Sequence, residues 1–187
     1  MKKPQEGYFL EAGALWHHCH ATATLASIIG QHAKIKDSYS IYTAALLHDV
    51  GKVILNRPLH RAMIENRESA GKKNLLEMEH LYLHTDHAKV GMFLLEHWGL
   101  PAEITVPVGF HHDFDKALIH KDSTRIVHLA NALVEGMGFS SADSGDSTIE
   151  VDDVVEAEVY AAIPHFQEEM EAIIEEFYKK MNDASTL

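Results

Sequence analysis

The chain is poor in cysteine and in basic residues and has no long apolar run. Its 187 residues include a single cysteine, Cys19, which excludes an intramolecular disulfide framework and suits a reducing compartment. No apolar run approaches the roughly 18 residues that a membrane span needs, and residues 1–10 lack an apolar stretch of signal-peptide length. We therefore expect a soluble, cytoplasmic protein with no membrane partner. It should form one domain, with or without a helical extension.

Basic residues are outnumbered, 16 against 28 acidic ones, so the net charge is −12. Residues 143–187 carry 13 acidic and 2 basic residues, whereas residues 1–142 are nearly neutral. A nucleic-acid partner needs a basic face, which this sequence does not offer. A small phosphorylated ligand is not excluded, because metal ions can supply positive charge locally.

Helical periodicity dominates the sequence and strand signals are few, so we predict an all-α fold. A stripe of residues at steps of three and four predicts an amphipathic helix that contains Leu15, His18, Thr22, Leu25 and Ile29. Further helix ends are marked by glycine, proline and small polar residues. We expect a helix from Asp37 or Ser38 toward His48 that stops at Gly51, a short helix from Pro58 to Gly71, a capping box at Asn74 and Glu77, a cap at Thr85 followed by Asp86, a kink or break at Pro107, and a cap at Asp122 or Ser123.

Composition divides the chain into three parts. Residues 1–137 are predicted to form the helical domain, and residues 138–148, rich in Gly, Ser, Ala and Asp, a flexible loop. Residues 149–187 are predicted to form an acidic helical extension, interrupted at Pro164, that packs on the same domain. Its acidic residues are expected to form a solvated face.

The sequence has 15 histidines, and several helices place one on a buried face or at a helix end. Together with one aspartate they are His18, the pair His48–Asp49, His87, and the pair His111–His112. A buried ionised aspartate is costly unless it is paired or bound to metal, and helical cores commonly hold metal sites. The alternative is a hydrogen-bonded histidine network without metal. We favour metal, because polar networks of this size are rarely buried unless a ligand satisfies them.

Several motifs resemble a known family. The run LLHDVGK, from Leu46 to Lys52, resembles the His-Asp signature of the HD superfamily of metal-dependent phosphohydrolases. The segment LWHHCHATA, from Leu15 to Ala23, resembles the earlier histidine helix of that family, and His18 is the match.

Other segments indicate one branch of that superfamily. The segment DHAKVGMFLLEHWGLPAEI, from Asp86 to Ile104, is similar to the HD-related output domain (HDOD) branch, as are Trp16 and the run HLANAL from His128 to Leu133. This resemblance covers roughly residues 10–137. The Gly-Tyr-Pro stretch that follows the His-His pair in HD-GYP phosphodiesterases is replaced by HHDFDKALIHKD, so a cyclic di-GMP substrate is not supported.

The resemblance implies an all-α HD-domain helical bundle whose His-Asp pair binds one or two divalent metal ions. Asp49 would bridge the two metals, with His87, His111 and His112 completing one site and His18 and His48 serving the other. The family's last ligand is an aspartate where this sequence has Asn131. An amide oxygen can still coordinate, so Asn131 is a predicted ligand, but it carries no charge and binds metal more weakly.

The ligand set limits the identity of the metal. Three histidines and a carboxylate suit a transition metal such as Fe, Mn, Co, Ni or Zn. Such a metal lowers the pKa of bound water toward ~7 and supplies hydroxide at neutral pH. Lys52 either contacts a phosphate oxygen or is a helix C-terminal cation that faces solvent; both interpretations stay open.

Two functions follow from the resemblance. The first is a metal-dependent phosphohydrolase or phosphodiesterase, with Asp49 and Lys52 as catalytic residues, that acts on a phosphate ester or nucleotide through metal-bound hydroxide. The alternative is a signal-transduction module that binds metal and a signalling protein or ligand without turnover. A purely structural helical protein would need the site to stay empty of metal.

The remaining candidate residues have ordinary explanations. His80 and His84 are expected to be exposed polar residues rather than groups that support the site. Trp16 and Trp98 are expected to pack in the core or at its rim. Cys19 is expected to be a small buried apolar residue.

Overall fold

The computed structural model describes residues 3–35, 38–66, 74–138 and 166–184, and within these ranges the protein is all-α. The helices are α1 (Ala14–His32), α2 (Ser38–Leu47), α3 (Val50–Glu65), α4 (Leu75–Leu83), α5 (His87–His97), α6 (Ala102–Phe110), α7 (Lys121–Gly136) and α8 (Phe166–Ala184). Two 3₁₀ turns, Glu6–Tyr8 and Phe114–Lys116, accompany them. The described ranges contain no strand, only an isolated bridge between Gln5 and Leu10. The all-α prediction is confirmed.

Helix α1 lies at the centre of the main core, packed against α2, α7 and α8. Its stripe is buried as the periodicity predicts, since Leu25 and Ile29 are fully enclosed. They pack in one cluster with Leu133 of α7 and with Ile173 and Phe177 of α8. The acidic C-terminal helix is therefore attached through its apolar face.

The predicted loop and the start of the predicted extension lie largely outside the described residues, because nothing is described between Gly138 and helix α8. The division of the chain at residues 137 and 148 remains a prediction. None of the described helices is long and apolar enough to cross a membrane.

A second, smaller core lies beneath the N-terminal 3₁₀ turn. Tyr8, Leu15, Leu55, Leu59 and Met78 are its main buried members. The turn packs on α3, and the backbone N–H of Gly7 in this turn donates a 2.8 Å hydrogen bond to Asn56. This core fixes the N-terminal segment next to α3 and α4.

The prediction that Gly51 stops a helix is wrong. Helix α2 ends at Leu47, and Gly51 lies in the first turn of α3. Its missing side chain serves packing instead, since a Cβ at this position would lie 2.0 Å from the carbonyl oxygen of His87 in α5. The glycine is required because two helices approach closely there.

Neither proline divides a helix. The predicted start at Pro58 is wrong, because α3 runs through Pro58 and ends at Glu65; residues 67–73 lie outside the described ranges. Proline cannot donate to the carbonyl one turn earlier, on Ile54, a residue that is half exposed. Pro107 likewise lies inside an undivided α6, so the predicted break is wrong, while the alternative of a kink stays a prediction.

The predicted caps have mixed outcomes. Asn74 and Glu77 form a complete capping box at the start of α4, and α2 begins at Ser38 as expected. The cap of α5 is Asp86 rather than Thr85, because its carboxylate accepts the N–H of Lys89 at 2.8 Å.

Helix α7 has no side-chain cap, so the caps expected at Asp122 or Ser123 are wrong. The carbonyl of His120 accepts both the N–H and the hydroxyl of Thr124, so the helix starts two residues earlier than a cap at Asp122 would place it. Asp122 lies in the first turn, where its charge complements the helix dipole.

Candidate metal centre

Elements from five parts of the fold bring the predicted ligands together. His18 lies in the middle of α1, and His48 and Asp49 form the link between α2 and α3. His87 opens α5, His111 and His112 follow the end of α6, and Asn131 lies within α7. Of these residues only His112 is not fully buried.

The link between α2 and α3 places two adjacent residues in one site. Adjacent residues inside a helix point about 100° apart, but His48 and Asp49 lie between helices. Asp49 has the position of N-cap of α3, with φ −98° and ψ 9°, and its carboxylate makes no capping hydrogen bond. The carboxylate is therefore available to the histidines.

The side chains form two groups that meet at Asp49. His87, His111 and His112 have one ligand atom each within 4.8 Å of the others, and so do His18, His48 and Asp49. Oδ1 of Asp49 lies 3.1 Å from Nε2 of His87, in the first group. Oδ2 lies 3.5 Å from Nε2 of His48 and 3.7 Å from Nε2 of His18. The carboxylate therefore faces both groups.

Hydrogen bonds fix which ring nitrogen carries the proton. Nδ1 of His48 lies 2.7 Å from the carbonyl of Ala45, and Nδ1 of His111 lies 2.7 Å from the carbonyl of Val108. A carbonyl oxygen only accepts, so both Nδ1 atoms donate. In a neutral ring, Nε2 then carries no proton, and its lone pair is directed into the candidate metal centre.

Burial keeps most of these rings neutral. It lowers the pKa of His48 to about 4 and that of His112 to about 3, and it lowers the pKa of His111 well below its usual value. Neutral imidazole is the form that binds metal. Although burial and Lys52 oppose protonation of His87, Asp49 and Glu79 outweigh them and raise its pKa, so this position attracts a cation.

Two polar atoms at the centre lack hydrogen-bond partners among the described residues. They are Nε2 of His111 and Oδ1 of Asp49, both fully buried. Because Nδ1 of His87 donates to Glu79, Nε2 of a neutral ring has no proton to donate across its 3.1 Å contact with Oδ1. Leaving such atoms unsatisfied costs about 1–3 kcal/mol each. A metal ion satisfies a nitrogen lone pair and a carboxylate oxygen together, so the residues present fit a metal.

The spacing of the donor atoms also fits. Nitrogen and oxygen ligands lie about 2.1 Å from a transition metal, so neighbouring ligand atoms around one ion are roughly 3–4 Å apart. Nε2 of His87 lies 2.9 Å from Nε2 of His112 and 3.1 Å from Oδ1 of Asp49. The three-histidine group together with Asp49 therefore has a spacing of donor atoms that fits a metal ion.

The group that contains His18 is better satisfied without metal. Nε2 of His18 lies 2.9 Å from Oδ1 of Asn131, and an amide oxygen only accepts, so the histidine donates. The same nitrogen lies 3.3 Å from Nε2 of His48. The amide nitrogen of Asn131 in turn donates to Glu135 at 3.3 Å. The two groups therefore differ in their need for a cation.

Lys52 is buried, so the prediction of a helix C-terminal cation facing solvent is wrong. It lies in the first turn of α3, and its Nζ donates a 2.7 Å hydrogen bond to Oδ2 of Asp49. Although burial favours the neutral acid, Lys52 is the main charge that holds the pKa of Asp49 well below its usual value. The lysine thus keeps the carboxylate ionised inside the protein.

Two residues outside the predicted set, Glu79 and Tyr8, support His87. The carboxylate of Glu79 is fully buried and accepts the backbone N–H of His87 at 2.9 Å and its Nδ1–H at 2.8 Å. The Tyr8 hydroxyl also donates to this carboxylate. A signal was present, because Glu79 falls between Leu75 and Leu83 on the apolar stripe of α4. A charged residue in such a stripe indicates a buried partner.

Other histidines lie outside the two groups. His80 and His84 are exposed, as expected, and Nε2 of His80 lies 3.6 Å from Asp86. His128 donates from Nδ1 to the carbonyl of His111 at 2.7 Å, which holds the turn after α6 against α7. Cys19 is buried as predicted.

The two tryptophans do not lie in the core. Trp16 and Trp98 are 49% and 60% exposed, so they lie at its rim, and Trp16 stacks on His20.

Comparison with known proteins identifies the family. The profile of the HDOD domain matches residues 1–114, which hold every predicted ligand except Asn131. The chain belongs to the HDOD domain family. This HDOD domain is also similar to a crystal structure of an HDOD domain protein with unknown function from Geobacter sulfurreducens, with a TM-score of 0.73 and 18% sequence identity.

The match to that structure covers 93% of this chain and 61% of the other, so this HDOD domain spans about three fifths of its length. The similarity confirms the helical-bundle fold. No curated protein matches the sequence.

Proposed function

We propose that this HDOD domain binds a divalent transition metal, such as Fe, Mn, Co, Ni or Zn, and hydrolyses a phosphate ester or nucleotide. The metal would be held first by the group with the unsatisfied donors: His87, His111, His112 and Oδ1 of Asp49. The observation that carries the proposal is Nε2 of His111, a buried lone pair without a hydrogen-bond partner among the described residues. A buried nitrogen in this state is expected where a ligand completes the site.

The charge of the centre supports a divalent cation. Asp49 and Glu79 are buried carboxylates, and Lys52 is the buried cation beside them. Since His48, His111 and His112 are neutral at pH 7, a metal ion would add positive charge beside these two carboxylates without meeting a charged imidazole at those three positions.

A bound divalent metal supplies Lewis acidity toward a phosphoryl oxygen and lowers the pKa of bound water. The residues of the chain prepare the site for that chemistry. Lys52 holds Oδ2 of Asp49 and so leaves Oδ1 directed at the three-histidine group. Glu79 keeps the proton of His87 on Nδ1, so that Nε2 is the ligand atom.

A second candidate is a module that binds metal and a signalling protein or small phosphorylated ligand without turnover. Asn131 favours it, because an amide stands where the HD superfamily has an aspartate, and it already satisfies His18. The group around His18 and His48 would then bind a second metal weakly. Phosphate hydrolysis that needs two metals would be lost.

Turnover separates the two candidates. Untagged protein loaded with Mn²⁺ would be assayed on p-nitrophenyl phosphate, its bis-ester and a panel of nucleotides. Hydrolysis is expected in the wild type and lost in Asp49→Asn. The matched variant Asp115→Asn changes an exposed aspartate and should keep full activity. A metal-bound wild type that hydrolyses none of these substrates would favour the non-catalytic module.

A further inference from the structure

A chain of hydrogen bonds runs from the N-terminal 3₁₀ turn to the candidate metal centre. The Tyr8 hydroxyl donates to Oε1 of Glu79, and this carboxylate accepts the Nδ1–H of His87. All three side chains are buried, with Tyr8 and Glu79 fully enclosed. Tyr8 precedes every predicted ligand in the sequence, and it lies outside all the motifs that resemble the HD superfamily.

Glu79 holds His87 at two points. Its Oε2 accepts the backbone N–H at 2.9 Å and lies 2.8 Å from Nδ1 of the ring. The first contact fixes the start of α5, and the second fixes the orientation of the imidazole. With Nδ1 donating, Nε2 is directed at Oδ1 of Asp49, 3.1 Å away.

Tyr8 completes the environment of Glu79 and also borders Lys52. Burial and then the charge of Glu79 raise the pKa of Tyr8, so its hydroxyl keeps the proton that it donates. Nζ of Lys52 lies 5.9 Å from the centre of the tyrosine ring, within range of a cation–π contact. Tyr8 is held in place because the turn that carries it packs tightly: a Cβ on Gly7 would lie 2.3 Å from the carbonyl of Asn56.

We propose that Glu79 and Tyr8 are positioning residues that set the metal affinity of the group His87, His111, His112 and Asp49. Glu79 acts by fixing the tautomer and direction of His87, and Tyr8 acts through Glu79. The N-terminal turn is thereby part of the metal centre. This inference rests on the proposed metal binding, and the carboxylate–histidine arrangement is one that supports metal ligands elsewhere.

The test compares metal affinity across matched variants. Affinity for Zn²⁺ would be measured by competition with a chromophoric chelator in untagged wild type, Glu79→Gln and Tyr8→Phe. Glu79→Gln is expected to weaken binding about 10–100-fold, the usual effect of losing such a support. Tyr8→Phe is expected to weaken it by a smaller factor, in the same direction.

Two control variants make the comparison specific. Glu96→Gln removes an exposed charge from α5, the helix of His87. Tyr82→Phe removes a buried hydroxyl that has no hydrogen-bond partner among the described residues, from α4, the helix of Glu79. Both should bind Zn²⁺ as the wild type does. Circular dichroism of each metal-free protein checks that the variants are folded. If Glu79→Gln does not fold, the comparison of Tyr8→Phe with the wild type tests the inference.

A second measurement is independent of metal. Nitrogen-15 NMR of the His87 ring should show a slowly exchanging proton on Nδ1 in the wild type and in both controls. This signal should exchange faster in Glu79→Gln. A purely structural role for Glu79 would lower the melting temperature without changing the ring proton.

The outcomes separate this inference from the proposed function. Equal Zn²⁺ affinity in wild type and Glu79→Gln would overturn the inference and leave the proposed function standing. A wild type that binds no metal would contradict the proposed function. It would also overturn the inference that Glu79 and Tyr8 set metal affinity. The ring-proton measurement then shows whether Glu79 orients His87 at all.

Discussion

Nε2 of His87, the first residue of α5, lies 3.1 Å from Oδ1 of Asp49, the residue that precedes α3. The contact depends on Gly51, because the carbonyl of His87 occupies the space that a side chain at this position would fill. The glycine in the HDVGK motif thus sets the distance between a carboxylate and a histidine of the candidate centre.

Substitution of this glycine should disrupt both packing and the site. In Gly51→Ala the new Cβ would lie 2.0 Å from a backbone oxygen that cannot move alone, so α3 and α5 must separate. We expect a loss of about 3 kcal/mol in the free energy of unfolding, measured by urea denaturation of the metal-free protein. Gly30→Ala is the control, since its Cβ meets only the end of the Ile41 side chain at 3.2 Å. Equal losses in the two variants would contradict the account.

Lys52 should stabilise the metal-free protein strongly, because it neutralises a buried carboxylate. Lys52→Met leaves Asp49 as an uncompensated buried charge, which costs about 3–5 kcal/mol. The matched variant Lys116→Met breaks an exposed pair with Asp113 of the same spacing and should change stability little. Chemical denaturation measures both. The deficit of Lys52→Met should shrink when divalent metal is added, and an unchanged deficit would argue against metal at Asp49.

Asn131→Asp should strengthen metal binding by the group of His18, His48 and Asp49. The substitution places a carboxylate where an amide oxygen now lies 2.9 Å from His18, and it puts a second negative charge near Glu135. We expect lower stability without metal and a higher number of bound metal ions per chain, measured by calorimetric titration. Asn66→Asp, at an exposed position, is the control. An unchanged stoichiometry would show that Asn131 does not limit the second group.

His111→Leu should separate metal binding from stability. Leucine removes the buried Nε2, which makes no hydrogen bond within the described part of the chain, but also the 2.7 Å hydrogen bond from Nδ1 to the carbonyl of Val108. Metal-free stability should therefore fall by no more than about 1–3 kcal/mol. The stabilisation that metal gives, about 2.7 kcal/mol at 100 times the Kd, should be lost. Thermal denaturation with and without Zn²⁺ measures this, with the exposed His97→Ala as control. A full metal-induced shift in His111→Leu would contradict the assignment.

The helical class and the ligand positions could be predicted from the sequence because both have short-range signals. Periodic apolar residues marked α1, with His18 on its buried face, and the HD and HH pairs stood at helix ends where two neighbours can share a site. The short distance between Asp49 and His87 could not be predicted from the sequence, since it depends on how α3 and α5 pack.

Tertiary packing also explains the errors. Gly51 has the usual signature of a helix stop, yet it is a contact residue inside α3. A lysine near a helix end is usually exposed, but Lys52 is buried because it forms an ion pair with Asp49. The role of Glu79 is hard to predict, because a lone glutamate on a helix is usually solvated and its partners Tyr8 and His87 are distant in sequence.

The central claim is that the three-histidine group and Asp49 hold a metal ion. Elemental analysis of three untagged proteins tests it most directly: the wild type, His111→Leu and the control His97→Ala, each purified from metal-replete medium. A polyhistidine tag would confound the count. We predict about one metal ion or more per wild-type chain and a clear loss in His111→Leu, with His97→Ala matching the wild type. A wild type without metal, or equal metal content in all three proteins, would contradict the claim.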